Sequence, residues 1–149
     1  MSFKINKSEN NAKDILKELE KLDRMKIRWG ANTERSAEIF MQNEFGTSRN
    51  GKPHIPSRPA MRLTFRDSKV QKIIAGKAKF VIEQITQGKK ALDAGRGIGE
   101  SGLAELKRTF TSNLPPANAE STIKKKGAGK NTLRDTGELF NDLDYEVIS

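Results

Sequence analysis

Three prolines fall at positions 53, 56 and 59, inside the stretch NEFGTSRNGKPHIPSRPAMR that covers residues 43–62. Proline lacks a backbone N–H and fixes φ, so no helix runs through this segment and no central strand is built from it. The stretch also holds Gly46, Gly51, four Lys/Arg and the only histidine of the chain, His54. RNGK, residues 49–52, is a turn signal. The segment divides the chain and is read as an extended loop over 46–60. A loop of that length inside a compact domain is usually functional or disordered.

Hydrophobic periodicity supplies the elements on either side. In AKDILKELEKL, residues 12–22, Ile15, Leu16, Leu19 and Leu22 fall on one helical stripe, which gives an amphipathic surface helix at the N-terminus, residues 1–23. Met25, Ile27 and Trp29 then alternate with Lys26, Arg28 and Gly30, the period of a half-buried strand, with Trp29 read as core. TERSAEIFMQNEF has helical composition, yet Ala37, Ile39 and Met41 also alternate, so both readings stay open. A long helix is expected from about Arg62 to Gln87, with Val70, Ile73, Ile74, Ala78, Val81 and Ile85 as its stripe; Phe80 and Ile82 widen it toward packing on two sides. GKKALDAGRGIGESG reads as an interruption, followed by a helix over about 101–112 with Leu103, Leu106 and Phe110 inward. A second extended loop is expected over 113–134, where Pro115 and Pro116 stop the helix and KKKGAGK is solvated. Asp135 and Glu138 form a capping box for a short helix. DYEVI closes the chain as a strand with Tyr145 and Val147 on one face. At 149 residues this describes a single domain, 1–149, able to bury a core.

The apolar share is only 34%, against 32% charged residues, so little apolar surface is spare and part of the chain is expected to order on meeting a partner. There is no cysteine and hence no thiolate chemistry or disulfide framework. No run approaches membrane-spanning length and MSFKINKSEN lacks an apolar leader core, so a protein kept inside a cell, without membrane contact, is expected. The net charge of +9 is concentrated in residues 49–90, where eleven Lys/Arg face only Asp67 and Glu83. The last fifteen residues carry five acids and no base. Such polarity argues for a charged partner, or for like copies meeting basic end to acidic end.

Motifs that could carry chemistry lack their context. Gly97, Gly99 and Gly102 satisfy G-x-G-x-x-G, but a dinucleotide fingerprint needs a preceding strand and a βαβ unit, so GIGESG reads as a turn between helices. GAGK at 127–130 has neither the spacing of a phosphate loop nor a hydroxyl at Asn131. His54 stands alone, without further ligands or a nucleophile, and reads as a loop histidine. The carboxylates are scattered, so no catalysis, metal or cofactor is expected. The basic middle invites nucleic acid, with salt-sensitive and sequence-blind affinity. Only Phe65 and Phe80 fall among these bases, short of the regular aromatic interleaving of single-strand binders, and no helix-turn-helix or zinc pattern appears.

Two spaced blocks carry a resemblance. NEFGT (Asn43–Thr47) with IPSRPAMR (Ile55–Arg62) is followed some seventy residues later by STIKKKG and TLRDTGELFNDLDYEV, with GLAELKRTF between them. In this order they resemble the tail-completion or head–tail joining (neck) proteins of tailed bacteriophages and prophages. The resemblance covers residues 25–148 and departs from the family pattern at Ala60, where a bulky aromatic is usual, and at Asp142, where a small polar residue is usual. It implies an α+β domain, a small mostly antiparallel sheet packed against several helices. It also implies a structural virion protein without catalysis, assembled in the cytoplasm of a bacterial host into a homo-oligomeric ring, for instance a hexamer, at the tail or neck. Its partners would be neck and tail-tube proteins, with non-specific contact to DNA in the channel. On this reading Gly46–Arg62 is an assembly arm carrying Arg49, Lys52, Arg58 and Arg62, with Arg58 and Arg62 as its anchors. The KKKGAGK loop, with Lys124, Lys125, Lys126 and Lys130, is a second arm. The rival reading is a small basic nucleic-acid-binding module using residues 49–90.

Overall fold

The computed structural model describes residues 2–112, 114–116, 124 and 137–149, with side chains from residue 11 onward. Its elements are α1 (Ser2–Arg24), β1 (Lys26–Ala31), α2 (Glu34–Phe45), β2 (Thr47–Arg49), β3 (Lys52–Ile55), α3 (Ala60–Arg66), α4 (Ser68–Thr86), α5 (Ala91–Thr111), α6 (Glu138–Asp142) and β4 (Leu143–Ile148). The fold is α+β. Its small sheet component takes the form of two two-stranded ribbons, β1 with β4 and antiparallel β2 with β3. The described residues gather into two compact units. One comprises Met1–Arg28, Lys72–Ser101 and Tyr145–Ser149, the other Trp29–Gln71 and Gly102–Asp144.

Each unit has its own core. In the first, Val81, Ile85, Ala91 and Ala94 are buried, and Ile15, Leu19, Leu22, Met25 and Ile98 pack on them. The stripe expected on α1 therefore docks, except that Leu16 points outward at 59% exposure. Glu18 lies on the same inner face. Its carboxylate accepts the Ala91 N–H at 2.8 Å and the Lys21 Nζ at 2.8 Å, so a side chain of α1 closes the open N-terminus of α5.

In the second unit Phe40, Ala60, Leu106, Phe110, Leu114, Leu139 and Leu143 form the core, and Phe40 stacks on Phe110 at 5.7 Å between ring centroids. The ambiguous segment resolves as α2, because Ser36, Phe40 and Glu44 are its buried residues and recur every four positions. Thr33 caps it, accepting the Ser36 N–H at 3.2 Å. Asp142 then accepts both the Thr33 hydroxyl (2.8 Å) and the Ser36 hydroxyl (2.5 Å), while its carbonyl accepts the Asn32 N–H. Asp142 thus secures the start of α2. Ala60 is 2% exposed within this core, which holds a small side chain there.

Four expectations need correction. The helix from Arg62 to Gln87 is two helices, α3 and α4, broken at Asp67, whose Oδ1 accepts the Lys69 N–H and caps the second. Phe80 (47% exposed) and Ile82 (46%) are exposed, so among the described residues α4 packs on one side only. Most consequentially, the glycine-rich stretch is no turn: α5 runs unbroken through Gly95, Gly97, Gly99 and Gly102. Glycine inside a helix costs about 1 kcal/mol relative to alanine. Close approach explains three of the four. A Cβ on Gly95 would strike the Met25 sulfur, one on Gly99 would strike the Tyr145 ring, and one on Gly102 would lie 2.5 Å from Trp29 Cζ2. The spacing 95, 99, 102 is one helix face, and β1 and β4 residues lie against it. The helix near the C-terminus begins at Glu138 after Gly137 (φ 84°), so Glu138 is not the fourth position of a capping box. Asp135 and nearly all of the second loop lie outside the described residues.

Gly99→Ala is expected to destabilise by about 1–3 kcal/mol through overpacking against Tyr145, measured by urea unfolding. A pH titration of stability checks the two anchoring carboxylates. The Ala91 N–H, then Lys21, holds the Glu18 carboxyl below its ordinary value of 4.5. The hydroxyls of Ser36 and then Thr33 do the same for Asp142, below 3.8. Because both folded values are depressed, the stability is fully present above about pH 4.5 and is lost as pH falls through the lowered folded values. Asp142→Asn flattens the acid limb.

Candidate assembly surface

The proline segment is tightly built. β2 and β3 form a hairpin with Arg49 opposite Lys52, turned by Asn50 (φ 51°) and Gly51 (φ 73°), the left-handed pair that a two-residue hairpin requires. The register shifts between Thr47, opposite Ile55, and Ser48, opposite Pro53, which leaves His54 as the extra residue. Pro53 is tolerated because a ribbon of two strands is all edge. Gly46 (φ 74°) ends α2, and a Cβ there would lie 2.8 Å from the Ile55 carbonyl oxygen.

Past the hairpin the chain ties itself to the end of α2. The Arg58 N–H donates to the Asn43 carbonyl at 2.6 Å. The Ser57 hydroxyl (2.8 Å) and Arg62 Nη2 (2.6 Å) both donate to the Glu44 carbonyl. These bonds satisfy carbonyls that the last turn of α2 leaves without helical partners. In return, the Glu44 carboxylate accepts the N–H groups of Met61 (3.0 Å) and Arg62 (3.1 Å), the first turn of α3, and Arg62 Nε at 3.0 Å. Pro59, at the cap position of α3, offers no side-chain bond, so Glu44 supplies the cap from another helix.

Arg58 and Arg62 are both engaged within the fold. Arg58 is 6% exposed, its Nε donates to the Pro116 carbonyl at 3.0 Å, and burial lowers its pKa below the ordinary guanidinium value. Arg62 pairs with Glu44 and lies over the Phe45 ring, 5.1 Å from the centroid. Both hold the segment to its own fold. Arg49, Lys52 and His54 are exposed along the hairpin, and Lys124 is exposed. Lys125, Lys126 and Lys130 lie outside the described residues. The basic middle is shared between the units, with Arg49–Lys69 in the second and Lys72–Lys90 in the first.

Sequence reasoning missed the apolar part of this surface. Met41 (54% exposed), Phe45 (59%) and Leu63 (50%) project from α2 and α3 beside Arg62. Shallow depressions flank them, one lined by Phe45, Pro53 and Ile55, the other by Pro59, Leu63 and Arg66. The spacing of Met41 and Phe45 is a usable signal only once α2 is known to be a helix. Among the described residues no group of three or more His, Asp or Glu is placed to hold a metal ion, and no helix is long and apolar enough to cross a membrane. Comparison with protein-family models, with curated proteins and with solved structures gave no match.

Glu44→Ala is expected to lower stability by about 2–3 kcal/mol, since it leaves two helix N–H groups and Arg62 without their acceptor in a half-buried site. Thermal unfolding followed by circular dichroism checks this. Arg49→Ala, at the exposed hairpin tip, should leave the melting temperature unchanged.

Proposed function

We propose that this chain is a structural assembly protein of tailed bacteriophage virions that completes the tail and joins it to the head or neck. It acts by protein–protein contact, without catalysis or cofactor, as a homo-oligomeric ring that meets neck and tail-tube proteins. The observation that carries the reading is the first resemblance block. Its Glu44, Gly46, Ser57, Arg58 and Arg62 are the residues that knit α2, the hairpin and α3 together. A rigid segment loses less entropy on binding than a slack one. The apolar side chains beside it, Met41, Phe45 and Leu63, form the kind of exposed cluster that marks interaction sites. The surface that grips a neighbour is thus the apolar edge with Arg49 and Lys52, and Arg58 and Arg62 serve as its internal frame.

The exposed lysines at 69, 72, 79, 89 and 90 support the second reading, a nucleic-acid-binding module. Electron microscopy of the purified protein and filter binding to duplex DNA across a salt series separate the two. Rings with negligible duplex affinity are expected. Steep, sequence-blind, salt-dependent affinity without rings overturns the assembly reading.

A further inference from the structure

Among the described residues, the exposed face of α4 has no partner within its own unit. Val81 and Ile85 are buried at 0% and 1%, whereas Ile73 (44% exposed) and Phe80 (47%) point to solvent. Between them sits Gly76, and the space a Cβ would take there is open, with nothing within 4 Å. Gly95, Gly99 and Gly102 are each explained by a side chain that needs their space. Among the described residues nothing explains Gly76, a residue that disfavours helix relative to alanine. Lys72 and Lys79 flank the stripe, Lys77 Nζ lies 5.1 Å from the Phe80 ring centroid, and Glu83 is the only acid on the helix.

The outer face of α2 is its complement. Glu38, Met41 and Phe45 are exposed at i, i+3 and i+7, the same spacing as Ile73, Gly76 and Phe80. Glu34 continues the face, and Arg35 is the only base on α2. Acids and apolar groups thus stand on one helix, bases and apolar groups on the other. A glycine falls in the middle position of one stripe and a deformable methionine in the other. From this match we infer that α4 of one copy docks antiparallel on α2 of a second copy, Gly76 admitting the Met41 side chain, with Lys79 meeting Glu38. The contact is heterologous, because different patches meet, and such contacts propagate into rings when the rotation closes. The inference rests on the self-assembly reading above and names the two faces that carry it. Two basic α4 faces would repel one another, which disfavours an isologous contact.

The chain has no cysteine, which makes a cross-linking test clean. Met41→Cys and Gly76→Cys are prepared as separate variants, mixed, oxidised at high protein concentration and resolved on a non-reducing gel, alongside sedimentation of the unmodified protein. The expected result is a mixed disulfide dimer in clear excess over either homodimer, and a ladder of oligomers from the double variant. Lys79→Glu is expected to weaken self-association about tenfold, and adding Glu38→Lys to the same chain is expected to restore it. Self-association without the mixed cross-link, or with Met41→Cys homodimers alone, overturns the docking while leaving self-assembly in place. A protein that stays monomeric and uncross-linked overturns both.

Discussion

The exchange between the end of α2 and the start of α3 governs the central part of this molecule. Glu44 closes the N-terminus of α3 with its carboxylate, and its carbonyl accepts from Ser57 and Arg62. One residue therefore satisfies groups at two helix ends that would otherwise lack partners. The hairpin between them is held at its base by the Asn43–Arg58 bond and by Gly46, so its tip is projected from a fixed platform. The exposure of Phe45 and Leu63 follows from the same arrangement. Their neighbours Glu44 and Thr64 are turned inward, one to cap and one to bond the Ala60 carbonyl and the Thr109 hydroxyl.

The device recurs. Glu18 from α1 closes α5, and Asp142 from α6 secures the hydroxyls at the start of α2. A chain with 34% apolar residues has limited hydrophobic area to orient its helices. Anchoring a helix start with a distant carboxylate adds a directional constraint that apolar packing lacks. Glycines do the complementary work on α5. By removing side chains at 95, 99 and 102 they admit Met25, Tyr145 and Trp29 to close contact, so large residues pack where a more regular helix would hold them away.

Where the molecule meets a partner, the proposal places charge in a supporting role. Its most exposed large apolar side chains on α2, α3 and α4 are Met41, Phe45, Leu63, Ile73, Phe80 and Ile82. Lysines and glutamates flank the stripes on α2 and α4. Apolar contact supplies affinity in such an arrangement, and the flanking charges select register and partner.

Local chemistry was enough to read some elements. The alternation of Met25, Ile27 and Trp29 gave β1, that of Tyr145 and Val147 gave β4, and RNGK gave a turn though not the strands β2 and β3 on either side of it, because each depends on backbone geometry a few residues wide. The α+β class was what the resemblance of the two spaced blocks implied. Tertiary structure decided the rest. Gly95 to Gly102 read as a break by propensity, yet α5 continues because Met25, Tyr145 and Trp29, distant in sequence, occupy the space the glycines leave. Arg58 and Arg62 read as free cations, yet the fold brings the Pro116 carbonyl and Glu44 to them. A sequence states which residues carry charge or lack a side chain. Whether that charge is neutralised at home, or that vacancy filled, depends on contacts between residues far apart along the chain.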